Sequence, residues 1–189
     1  MAKTLLPVIL IFSLFGLSNA MAEQTASRDF AKAGTLFTEA RYTEALPIYQ
    51  RLLNSRASDV SSGILCTRIG DCYYKLADYT SAIHAYRSAL QYQKSSERAA
   101  TQFWIGFSTF RLGKDAEAIA EFLKIPELYP TSGMWVTTAY YFAGKVCEHM
   151  GKKEQAAAYY RKAAGTGTST QERFALKKAE TVKKEARVQ

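Results

Sequence analysis

Apolar and polar positions along the chain return in the same order every 36 to 38 residues, with Ala45, Ala82, Ala118 and Ala156 marking the register. Twelve residues before each mark stands a residue with almost no side chain (Ala33, Gly70, Gly106, Gly144), and five before it another (Ala40, Ala77, Gly113, Gly151). Four residues after it comes an aromatic ring (Tyr49, Tyr86, Phe122, Tyr160). Two antiparallel helices cross closely only where small residues touch, so the small residue of a first helix and the alanine of a second predict a contact point. The small residue between them falls in the connecting turn, where Gly113 and Gly151 can adopt the left-handed conformation that ends a helix. The ring one turn beyond the alanine is expected to fill the wedge toward the next hairpin. Each hairpin alone leaves an apolar face wet, so neighbours must stack, and the pattern predicts an all-α, right-handed superhelix.

The pattern weakens at both ends. In the first unit Lys32 occupies a position that should be apolar, and Pro47 lies inside the second helix, where its missing donor tends to kink the backbone. After the fourth unit Gly165 and Gly167 break the helix, and Ser169-Thr170-Gln171-Glu172 reads as a capping box that starts another. In that last helix Ala175, Leu176, Ala179, Val182 and Ala186 recur at three- and four-residue steps, as a terminal cap requires. Its alanine-rich side would bury little area in lipid, so membrane contact is expected to be peripheral at most. At the other end, Lys3, the apolar run Leu5 to Leu17 and the small-residue stretch Ser18-Asn19-Ala20-Met21-Ala22 follow the order of a secretory signal peptide cleaved after Ala22. The run is short for a helix across a bilayer, which takes ~20 residues. No cysteine follows either cleavage option, so a lipoprotein is not expected and the processed chain would be periplasmic or secreted. The expected organisation is a signal peptide over 1–22, a solenoid over 23–168 and a capping helix over 169–189.

The second unit runs Cys66-Thr67-Arg68-Ile69-Gly70-Asp71-Cys72-Tyr73-Tyr74-Lys75-Leu76-Ala77-Asp78-Tyr79-Thr80-Ser81-Ala82, then Ile83, Tyr86, Ala89 and Leu90. Almost position for position it resembles the tetratricopeptide repeat. The third unit keeps Ile105, Gly106, Gly113, Ala118, Ile119, Phe122 and a closing Pro130; the fourth keeps Gly144, Gly151, Ala156, Tyr160 and Ala163. The resemblance covers roughly Arg28 to Gly165, with repeats near 28–60, 63–97, 99–133 and 137–168, four helical hairpins before the C-terminal capping helix. The 36- to 38-residue spacing and the loop Leu128-Tyr129-Pro130-Thr131-Ser132 are similar to exported tetratricopeptide proteins of Gram-negative envelopes, such as the Tol-Pal coordinator and the barrel-assembly lipoproteins.

The resemblance implies that the first helices line a concave face that receives peptides or helices. It places Phe103, Phe107 and Phe110 there, with Tyr74 from the unit before and Tyr141 from the unit after, beside Arg68, Lys75, Arg111 and Lys145. Aromatic anchors and paired charges suit another protein or peptide carrying apolar and acidic anchors. Rings at such steps also pack against adjacent hairpins, a reading that stays open here. The asparagine and lysine by which some relatives clamp a terminal carboxylate are replaced by Phe30 and Gly34, which disfavours a chaperone-tail receptor.

Composition and charge refine this picture. Hydrophobic residues at 48% and charged ones at 22% suit a globular core. The net charge of +8 favours acidic proteins or anionic headgroups, and export argues against nucleic acid. Lys177, Lys178, Lys183 and Lys184 read as a solvated helix face. Cys66, Cys72 and Cys147 lack zinc-site spacings and read as buried thiols, although Cys66 or Cys72 could bridge to Cys147 in an oxidising compartment. His84 and His149 belong to no nucleophile or metal motif, and His149 beside Glu148 reads as solvated, so no catalytic residue, metal or cofactor is expected. The sequence thus points to a periplasmic adaptor in envelope or surface-structure assembly, the alternative being an architectural subunit that associates with itself, and homo-oligomers stay open.

Overall fold

The structure is a computed structural model that describes residues 23–55 and 60–186. Residues 1–22, where the sequence predicts a signal peptide, lie outside the described residues. The capping-box side chains of Ser169 and Glu172 do too.

Nine helices and no strand are present among the described residues: α1 (residues 23–38), α2 (Tyr42–Asn54), α3 (Ser62–Lys75), α4 (Tyr79–Tyr92), α5 (Ser95–Arg111), α6 (Asp115–Leu128), α7 (Gly133–His149), α8 (Lys153–Ala164) and α9 (Ser169–Ala186). They form the four expected hairpins, α1–α2, α3–α4, α5–α6 and α7–α8, with α9 laid on α8 as the cap. Successive first helices therefore run parallel. α5 touches α7, and α7 touches α9.

The four marking alanines are fully buried. What the preceding glycines accommodate is the aromatic ring of their own hairpin. A Cβ on Gly70 would lie 2.6 Å from the ring of Tyr86, one on Gly106 2.8 Å from Phe122, and one on Gly144 2.8 Å from Tyr160. The ring expected only to fill the wedge toward the next hairpin thus lies flush on a bare stretch of helix backbone within its own. It also reaches outward, since Tyr86 shares a core cluster with Ile105 of the following hairpin. Ala33 holds the glycine's place in the first hairpin, and there Tyr49 meets Phe30 edge-on.

All four turns adopt the left-handed conformation, with φ of 60° at Ala40, 61° at Ala77, 75° at Gly113 and 73° at Gly151. Each turn closes by the same pair of backbone bonds. The Ala77 N–H donates to Tyr74 O (3.1 Å) and Asp78 N–H to Tyr73 O (3.0 Å), while Gly113 and Lys114 repeat this to Phe110 and Thr109. Alanine at two of these positions carries backbone strain that glycine does not.

The irregular features sit where solvent tolerates them. Lys32 and Pro47 are exposed, and α2 continues through Pro47 as α6 does through Pro126. Cys66, Cys72 and Cys147 are buried with free thiols, so the bridge to Cys147 that an oxidising compartment would allow is not formed. Lys178 departs from its expected role on a solvated face, since its Nζ donates to Glu148 Oε1 at 2.7 Å and ties α9 to α7.

Candidate functional site

The first helices carry an almost continuous run of rings. Tyr74 of α3 meets Trp104 edge-on at 5.3 Å and tilts against Phe107 at 5.9 Å. Phe107 stacks on Phe103 with an interplanar angle of 12° and meets Phe142 of α7 edge-on at 5.4 Å. Phe110 continues the line to His149, and Tyr141 joins Phe142, Tyr160 and Phe174.

The sequence-predicted residues divide by exposure. Phe103 is only 6% exposed, packed among Phe107, Phe122, Trp135 and Phe142, so its ring is core and offers a partner almost nothing. Tyr74, Phe107, Phe110 and Tyr141 are half-buried, each with one side against neighbouring rings and another toward solvent. Burial raises the phenols of Tyr74 and Tyr141 above the usual tyrosine range, so both stay neutral.

Arg68, Lys75, Arg111 and Lys145 are all exposed. Lys75 and Arg111 end α3 and α5, and Lys145 lies one turn before the end of α7, so these three charges form a row across parallel helix C-termini. There they also complement the helix dipoles. Arg111 sits over the Tyr79 ring at 4.9 Å, and Arg68 faces Asp71 at 3.5 Å. Asp71 also accepts a bond from the Tyr86 hydroxyl at 2.9 Å, yet its burial outweighs both partners and lifts its carboxyl above the usual range. Between α3 and α5 a groove of about 350 Å³ runs past Ile64, Arg68, Asp71, Glu97 and Trp104.

Trp104, Trp135, Phe142 and Phe174 belong to this surface and were not singled out by the repeat pattern. Trp104, Trp135 and Phe142 occupy positions where the repeat has no fixed residue and Phe174 lies on the cap, so only the packing of adjacent helices reveals them. His149, expected to be solvated beside Glu148, instead faces Asp115 Oδ2 through Nδ1 at 3.0 Å, although its side chain remains 64% exposed. Glu148 accepts bonds from the Tyr160 hydroxyl (2.7 Å) and Lys178. Burial alone would raise the Glu148 carboxyl; those two bonds and the nearby lysines outweigh it and hold the group below the usual range.

Among the described residues no group of histidine, cysteine or acidic side chains is arranged to hold a metal. No described helix is long and apolar enough to cross a membrane. The arrangement supplies contact area and charge.

Family models described as tetratricopeptide repeat match residues 67–133 and 137–165. Among solved structures, the C-terminal part of a TPR repeat-containing protein from Cytophaga hutchinsonii is similar with a TM-score of 0.62 and 23% identity, over 82% of this chain and 58% of that one. The apo form of RapI is similar with a TM-score of 0.69 and 15% identity, over 86% of this chain and 65% of that one. YrrB, a TPR protein with an unusual peptide-binding site, gives 0.60 and 22% over 80% of this chain and 74% of that one. The chain thus spans less than two thirds of the first two. At these identities the likeness is one of fold. No curated protein matches the chain.

Proposed function

Given that the chain belongs to the tetratricopeptide repeat family, whose models cover about half of it, we propose that this protein-interaction module is an exported, non-catalytic adaptor whose concave face holds an acidic, apolar-anchored segment of another envelope protein. The observation that carries the reading is the neighbourhood of half-buried rings and exposed positive charge. Tyr74 lies beside Lys75, Phe110 beside Arg111, and Tyr141 one turn before Lys145. A half-covered ring gains apolar contact when a partner covers its open side, and the adjacent cation selects carboxylates and sets the orientation. Export is supported by the leader-like order of Lys3, Leu5 to Leu17 and Ser18 to Ala22.

Charge reversal tests this better than ring deletion. Phe107 contacts four other rings besides Phe103, so Phe107→Ala would disturb the fold together with any groove. Lys75 and Lys145 are exposed, and neither takes part in an ion pair among the described residues. The double variant Lys75→Glu/Lys145→Glu should keep the helical spectrum, with the urea midpoint lowered by no more than about 1 M through the lost helix-dipole contacts, while losing an envelope partner that crosslinks to the parent protein. Light scattering should show a monomer. A stable oligomer whose interactions ignore both reversals would overturn the adaptor reading in favour of a self-associating subunit.

A further inference from the structure

Where α9 caps the solenoid, it encloses with α7 and α8 a pocket of about 200 Å³. Tyr141 of α7 and Phe174 of α9 pack against each other with ring centroids 5.7 Å apart and together form one wall, beside Phe142, Ala163 and Ala175. Phe174 is 59% exposed, a large ring left in water at the rim of an apolar cup. Both threonines of the lining already use their hydroxyls. Thr137 Oγ1 donates to Gly133 O and meets Thr166 Oγ1, and Thr138 Oγ1 donates to Met134 O at 2.7 Å. The lining therefore presents methyls and rings. An apolar cavity of about 150 Å³ holds a benzene-sized molecule, so this one has room for a single ring or branched aliphatic chain.

Charge fixes what should accompany that side chain. One turn beyond each wall residue stands a lysine, Lys145 after Tyr141 and Lys178 after Phe174. Both helices pair antiparallel with α8, so α7 and α9 run parallel and the two lysines stand at the same end of the cup. Lys178 is engaged by Glu148, whereas Lys145 is exposed and takes part in no ion pair among the described residues. One helical turn rises about 5.4 Å, close to the span of two extended residues at ~3.3 Å each.

We infer that the α7–α8–α9 cup is an anchor subsite for a partner peptide, taking one bulky apolar side chain with a carboxylate one or two residues beyond it toward Lys145. This rests on the adaptor reading and places its primary anchor at the cap instead of the middle of the solenoid. The cap helix then completes the binding surface as well as closing the core.

The test is methyl NMR on the protein with three acetylated, amidated tripeptides as probes: Phe-Glu-Glu, Ala-Glu-Glu and Phe-Lys-Lys. Phe-Glu-Glu should produce saturable shifts at the Thr137, Thr138 and Ala175 methyls. Loss of the buried ring should weaken Ala-Glu-Glu by at least about tenfold. Phe-Lys-Lys should bind several-fold more weakly than Phe-Glu-Glu, and Lys145→Glu should reverse that order. Thr138→Trp fills the cup from its open side and should abolish the shifts with an unchanged helical spectrum. Equal binding of the alanine probe, or shifts that survive Thr138→Trp, would overturn the assignment. So would shifts of the same methyls on raising protein concentration without probe, which would make the cup a contact between copies. Shifts confined to Ala100 and Thr101 would overturn the cup while leaving a peptide-binding concave face intact, and failure of the adaptor reading itself would appear separately as indifference to the Lys75→Glu/Lys145→Glu reversal.

Discussion

Gly70→Ala places one methyl where the fold has left no room for it. The added Cβ would stand 2.6 Å from Cε1 of Tyr86, 2.7 Å from Cδ1 and 3.0 Å from Cζ. Carbon atoms rest at about 3.5 Å or more, so ring and helix must separate by roughly 0.9 Å. The ring has little freedom to yield: Tyr86 is 1% exposed, and its hydroxyl is held by Asp71 at 2.9 Å. Overpacking of this kind costs about 1–3 kcal/mol. Alanine's better helix propensity returns about 1 kcal/mol. With three ring atoms struck at once and the ring pinned at its far end, the upper part of the range applies, and the net loss should be about 2 kcal/mol. In urea, with a slope of roughly 2 kcal/mol per molar, the unfolding midpoint followed by circular dichroism should fall by about 1 M. In a Tyr86→Leu background the same substitution should no longer destabilise and should return up to about 1 kcal/mol of helix propensity, because the ring it strikes is gone. A midpoint for Gly70→Ala equal to or above that of the parent would refute the claim that the repeat glycines exist to seat these rings.

Replacing Ala77 by glycine relieves a left-handed alanine at an exposed turn and should stabilise the protein by up to about 1 kcal/mol, whereas Gly113→Ala should destabilise it by a similar amount, both read from urea midpoints. The Glu121 carboxylate accepts bonds from Gln102, Lys124 and Arg87; burial opposes its charge, but those partners outweigh burial and keep the group below its ordinary value of 4.5. Its stabilising contribution is therefore present above that value and lost as pH falls through the lower folded one, so Glu121→Gln should lose less stability than the parent between about pH 5 and about pH 3. Asp71 has the opposite sign, because burial raises its carboxyl and ionisation at neutral pH works against folding; Asp71→Asn, which keeps an acceptor for Tyr86, should be at least as stable as the parent at pH 7. Burial pushes the Cys72 thiol up to about 12, with the charge of Asp71 adding to it, and burial also raises Cys66 and Cys147. A thiol-selective disulfide reagent should thus find almost no reactive cysteine in the folded protein and three after denaturation, and fewer than three would reveal a bridge.

The hairpins were legible in the sequence because their geometry makes demands that few residues can meet. A ring seated on a helix backbone excludes every side chain opposite it, so Gly70, Gly106 and Gly144 stand out against any background. The turns were half legible for a related reason. Gly113 and Gly151 announce a left-handed residue, but Ala40 and Ala77 adopt the same φ at some cost and only their place in the repeat points to it. What the spacing could not reveal was which hairpin each ring serves first, since a residue one turn beyond the alanine can reach either.

The proposed binding surface was less legible, and Phe103 and Phe107 show why. They stand four residues apart on one helix, stack face to face, and carry the same side chain, yet one is core and the other is half open. Helical spacing assigns both to one face; their exposure is decided by Phe122, Trp135 and Phe142, which arrive from the next two helices. The cup at the cap extends the same point. Tyr141 is a repeat residue and was expected on the concave side, but Phe174 belongs to a helix whose apolar stripe reads from sequence as a simple seal. Only when α9 is laid parallel to α7 do the two rings pack together with a lysine one turn beyond each. Periodicity specifies which residues a helix buries against its own neighbours, and it is silent about surfaces that two helices create together. Binding sites of stacked hairpins are surfaces of that second kind, so the fold of such a chain is more readable than the peptide it selects.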